Sequence, residues 1–86
     1  MKSGLYTATR NNKPDTLITS GRYRRRKGEM GFWHTLTLSS PTLIEANQNY
    51  HIVFRMKQGG LLHSFGIQPR EDTWLTSYAI KKSKEE

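Results

Sequence analysis

The sequence predicts an all-β domain, a small antiparallel sandwich or barrel of about six short strands. Three observations carry this expectation. Apolar and polar residues alternate with a period of two in short runs, and Gly, Pro and Asn clusters separate those runs. No stretch holds the i, i+3, i+4 spacing that a long helix needs.

Leu5 to Thr9 reads as the first strand, closed by the turn cluster Asn11-Asn12-Lys13-Pro14-Asp15. Thr16 to about Arg26 is the second, with Gly21 marking a bulge or bend. The glycines of Gly28-Glu29-Met30-Gly31 suit a hairpin turn. Phe32 to Ser39 alternates cleanly: Phe32, His34, Leu36 and Leu38 share one side, and Trp33, Thr35, Thr37 and Ser39 share the other. Residues 41–47 fit two readings. Thr42 and Glu45 match a capping box and would start one helical turn, whereas Leu43 and Ile44 suit a short strand. Tyr50 to Lys57 is the clearest strand, with Tyr50, Ile52, Phe54 and Met56 opposed to His51, Val53, Arg55 and Lys57. Gln58-Gly59-Gly60 turns into Leu61 to Gln68, and Pro69 to Asp72 turns into a last strand, Trp74 to Ile80. Residues 1–80 are then one domain, and 81–86 a polar, mobile tail.

At 86 residues the chain has a thin core, filled by two Trp, four Tyr and three Phe. A homo-oligomer would relieve that thinness. The absence of cysteine excludes disulfides and thiolate metal sites. No apolar run reaches the length of a signal-peptide core or a membrane span, which predicts a cytoplasmic or virion-associated chain without a membrane partner. Fourteen Lys and Arg stand against seven Asp and Glu, a net charge of +7. Such an excess attracts polyanions, and nucleic acid is the commonest of them inside a cell.

The phrase Leu38 to Phe54, LSSPTLIEANQNYHIVF, resembles a strand–corner–strand element of β-sandwich modules in phage tail, carbohydrate-binding and cell-surface proteins. In those modules a strand ends at Pro-x-Leu, a small turn follows, and a Tyr-x-Ile-x-Phe strand returns. The resemblance implies a sandwich and a structural or attachment role on a protein or glycan partner. It places no catalytic residue on this chain.

The residues themselves offer little catalytic chemistry. His34, His51 and His63 lie in three different strands, without the His-x-x-His or Glu-x-x-His spacing of a metal site. We therefore expect no metal and no cofactor. The one enzymatic reading is a metal-independent ribonuclease, with His51 or His63 moving protons and Arg55 and Lys57 stabilising the phosphorane. No nucleophile elbow, phosphate-binding loop or dinucleotide fingerprint is present, and the expected role is non-catalytic.

Binding has a stronger candidate in RYRRRK, residues 22–27. Alternation sends Arg22, Arg24 and Arg26 to one side and Tyr23, Arg25 and Lys27 to the other. Neither side suits a dry core, because an unpaired buried guanidinium costs several kcal/mol. The strand is thus expected to leave the sheet by about Arg24 and form a protruding two-stranded hairpin. Such a hairpin lies along phosphates or enters a groove. Trp33 falls on the Thr35/Thr37 side, beside the cations, in the arrangement that stacks unpaired bases. Its structural alternative is a second core layer. Arg55 and Lys57 would extend the patch. The expected partner is nucleic acid, held through Arg22 to Lys27, Trp33, Arg55 and Lys57. An acidic protein is the alternative partner, which includes an inhibitor of a nucleic-acid-handling enzyme.

Overall fold

The six expected strands form; the fourth starts at Tyr50 as expected, and the third runs past Ser39 to Ile44. They are β1 (Gly4–Ala8), β2 (Pro14–Gly28), β3 (Gly31–Ile44), β4 (Tyr50–Arg55), β5 (Leu62–Ile67) and β6 (Thr73–Lys82). The computed structural model describes residues 1–28, 31–55 and 62–82, with residues 27, 28, 31, 32 and 82 described by backbone alone. The expected turns at 28–31 and 58–60, and the tail from 83 on, fall wholly or partly outside the described residues.

All neighbours pair antiparallel, in the order β5-β4-β1-β2-β3-β6, and the sheet curls into a half-barrel. The barrel alternative is therefore the one approached, without closure. The two-sheet sandwich implied by the resemblance gives way to one curved sheet. The curl wraps Leu5, Leu36, Leu38, Ile44, Tyr50, Ile52 and Phe54 inside. Phe54 is fully buried and meets Tyr23 and Phe65 edge-on, with centroids 5.9 Å away in each case. Such aromatic pairs contribute about 0.5–1.5 kcal/mol beyond their burial. The inner side remains open where β5 and β6 fail to meet: Phe65, Ile67, Tyr78 and Ile80 are only partly covered.

β2 is the longest strand, and it changes partner midway. Pro14 to Ser20 pairs with β1, and Gly21 to Gly28 pairs with β3. Gly21 sits at the changeover, where a Cβ would come within 2.8 Å of the Leu36 side chain. The bend expected there is thus also a close approach.

The helical turn considered for 41–47 does not form, and β3 runs on to Ile44. The Glu45 N–H that a capping box would satisfy, and the Ala46 N–H after it, are taken by tertiary partners. Tyr50 Oη accepts from the Glu45 N–H at 2.9 Å, and an Asp72 carboxylate oxygen accepts from the Ala46 N–H at 2.8 Å. Thr42 instead donates its hydroxyl to the Ser40 carbonyl. Between Thr37 and Thr42 the ladder to β6 slips. Pro41 lies in that gap, lacking the N–H that a continuous ladder would require. At the C-terminus, Lys81 and Lys82 belong to β6, paired with Trp33 and Phe32. Residues 81 and 82, expected to open the polar tail, are thus strand.

Gly4 is packed against β2, where a Cβ would lie 2.9 Å from both the Ser20 Cα and the Leu17 side chain. Gly4→Ala is expected to cost about 1–3 kcal/mol in urea unfolding, as overpacking against backbone does. Gly66→Ala should cost clearly less, because the nearest atoms to the added methyl belong to the side chain of Asn12, which can swing away.

Candidate functional site

The ladder between β2 and β3 sets Arg22 opposite Thr37, Arg24 opposite Thr35, and Arg26 opposite Trp33. The ladder between β3 and β6 continues the same rows, with Thr37 beside Ser77, Thr35 beside Ala79, and Trp33 beside Lys81. Side chains across a ladder share a face, so these residues form one three-stranded outer surface. Its floor is short and uncharged. Three arginines stand along the β2 margin, the single cation Lys81 stands on the β6 margin, and an indole sits on the middle strand. Successive arginines on β2 are about 6.6 Å apart along the strand.

Trp33 is 43% exposed, so the outer placement holds and the second-core-layer alternative does not. Lys81 Nζ lies 5.7 Å from the indole centroid, over the ring. At an exposed position a cation–π contact contributes about 0.5–1 kcal/mol, enough to bias the rotamers of both side chains. Further along the face, Arg22, Arg24, Thr37, Leu38 and Ser39 line a shallow groove of about 310 Å³.

Among the described residues, charge is divided between the two ends of the half-barrel. β2, β4 and β6 run in the same direction, because each is separated from the next by one antiparallel strand. Where they finish stand Arg22, Arg24, Arg25, Arg26, Arg55 and Lys81. The carboxylates among the described residues, Asp15, Glu45, Glu71 and Asp72, all lie at the opposite end, with Arg10, Lys13 and Arg70. None of these carboxylates can neutralise the arginine row at contact distance.

The expected two-stranded projection is replaced by a three-stranded arm. β2 stays in the sheet to Gly28, and β6 is long enough to pair with β3 out to Phe32. Both sides of RYRRRK are still accommodated, for different reasons. The outer side faces solvent with Arg22, Arg24 and Arg26. On the inner side Tyr23 reaches the core while Arg25 remains exposed near the rim. Tyr23 stacks on His34 with centroids 5.8 Å apart, and Tyr23 Oη shares a 2.7 Å hydrogen bond with His34 Nδ1. Tyr23 is therefore a packing residue, separated from the arginine row by the sheet itself. Burial pushes its phenol above the ordinary value of 10.0, and the Arg25 guanidinium partly offsets that rise.

Arg55 is exposed at the cationic end on β4, where its guanidinium donates to the Met1 carbonyl at 3.4 Å. It belongs to the same end, but not to the three-stranded face. Lys57 lies outside the described residues, and Lys27 is described only as the backbone partner of Phe32. The residues of the ribonuclease reading are not brought together among the described positions. His51 is 5% exposed and donates from Nε2 to the Asn12 carbonyl, leaving Nδ1 buried without a partner. His63 lies opposite Phe54 on the inner side, whereas Arg55 is displaced to the other side by alternation.

Lys81 is the contributor that sequence reasoning missed. The alternation of Trp74 to Ile80 continues through it, and that continuity was the available signal. Comparisons with protein families, curated proteins and solved structures return no match for this chain.

The raised phenol has a definite consequence for alkaline stability. Above the unfolded value, the folded state holds the Tyr23 proton more tightly than the unfolded chain does. This contribution is therefore complete below about pH 10 and declines as pH rises toward the higher folded value. Phenolate absorbance during alkaline titration should show a late-titrating group that is missing in Tyr23→Phe.

Proposed function

We propose that this domain binds nucleic acid without catalysis, through the outer face of the β2–β3–β6 arm. The observation that carries the reading is the aligned row Arg22, Arg24 and Arg26 beside Trp33 and Lys81. Guanidinium groups suit phosphate because their planar fork pairs with it bidentately. The cationic end draws a polyanion from a distance, within a screening length of about 8 Å at physiological salt. Contacts to phosphate then set affinity and carry little sequence information.

A second reading, a module that docks a protein partner, is favoured by one feature. Leu43 and Trp74 are paired across β3 and β6 and are 44% and 67% exposed, at the end away from the arginines. Light scattering on the purified protein, alone and with oligonucleotide, distinguishes self-association through that pair from binding at the arm.

The nucleic-acid reading predicts a steep loss of affinity with salt. Replacing Arg24 and Arg26 by Ala should reduce the slope of log K against log salt by about 0.9 per lost contact on duplex DNA, or about 0.7 on a single strand. Both side chains are exposed, so stability should stay within about 0.5 kcal/mol of the parent. Absence of binding at low salt would refute the reading.

A further inference from the structure

We infer that the nucleic acid taken by this face is single-stranded, with an unpaired base stacked on Trp33. The inference rests on the nucleic-acid reading above and narrows it to one strand state.

Width argues against a duplex groove. Three strands at about 4.8 Å spacing place the β2 and β6 axes about 10 Å apart. Arg22, Arg24 and Arg26 at one margin and Lys81 at the other widen the face further. The major groove of B-DNA is about 12 Å wide and admits a helix or a two-stranded ribbon. A two-stranded hairpin would have entered it. The pairing of β6 along β3, out to Phe32, removes that route.

The position of Trp33 argues for an unpaired base. The indole is on the central strand, with Arg26 on one flank and Lys81 on the other. In a duplex the π-faces of bases are covered by their neighbours, and an indole on a broad sheet reaches only groove edges or phosphates. A splayed single strand presents its π-faces freely, and aromatic platforms inside cationic surfaces hold it in this way. The Lys81 contact is the weaker of the two interactions available to the indole, so a base displaces it and leaves the ammonium to pair with phosphate. A neighbouring nucleotide has the 310 Å³ groove to enter, lined by Arg22 and Arg24, which would meet its phosphate, and by Thr37, Leu38 and Ser39. The arginine spacing of about 6.6 Å along β2 suits successive phosphates of an extended strand.

The test uses the full chain carrying Trp74→Phe, so that Trp33 is its single tryptophan. Indole fluorescence is titrated, at one low salt concentration, with an unstructured oligonucleotide, a duplex of equal length, and heparin, a polyanion without bases. The expected result is quenching by the single strand and an affinity about tenfold or more above that for the duplex. Heparin should bind without stacking-type quenching. Trp33→Leu, followed by fluorescence anisotropy of a labelled oligonucleotide, should weaken single-strand binding about 5- to 150-fold and leave heparin affinity unchanged. Unchanged heparin affinity also serves as the control for folding. Equal affinity for duplex and single strand, or retention of single-strand affinity in Trp33→Leu, overturns the inference and leaves the broader nucleic-acid reading standing. Failure of both nucleic acids to bind while the fold is intact overturns both.

Discussion

The registration of β3 between β2 and β6 is the constraint on which the remaining structure depends. Its inner row, His34, Leu36, Leu38 and Ile44, is buried. Its outer row, Trp33, Thr35, Thr37 and Ser39, is therefore committed to the opposite face. A slip of one residue would drive Trp33 and the threonines inward and expel Leu36 and Leu38. The burial of a few aliphatic side chains thus also decides which strangers stand beside Arg22, Arg24 and Arg26. Core and candidate site are two faces of one register.

That register explains how a strand with cations on both faces stays inside a sheet. On the inner side of β2, Tyr23 reaches the core and packs on His34 and Phe54. Arg25, two residues further on, is already exposed near the rim, where the half-barrel is open. Closing the barrel would have forced that guanidinium indoors. The gap between β5 and β6 is in this sense compatible with the cationic end, at the cost of leaving Phe65, Ile67, Tyr78 and Ile80 only half covered.

Much of this was legible in the sequence, because period-two alternation states directly which residues share a face. The strands and the two faces of residues 33–39 follow from it, whereas the choice between an exposed Trp33 and a second core layer needed the fold. What escaped depended on distances along the fold that alternation does not carry. Nothing local says that the core extends beneath residue 23, so Tyr23 was read with the cations although it packs inward. Lys81 sits in a charged run near the C-terminus and reads as tail, yet β3 is long enough to recruit it. The capping-box pattern at Thr42 and Glu45 lost to Tyr50 and Asp72, partners that only the tertiary structure supplies. The arm's third strand has the same origin, and it changes the surface from a groove-entering ribbon to a broad platform.

The most direct test of this account is a chemical-shift map of the protein titrated with a single-stranded oligonucleotide. Binding at the arm should shift the Trp33 indole N–H, the Arg22, Arg24 and Arg26 side chains and the Lys81 amide together along one binding curve. The Trp74 indole, at the other end, should stay in place. Shifts centred on Trp74 and Leu43, or on the inner residues Phe65 and Tyr78, with the arginine row unmoved, would contradict it.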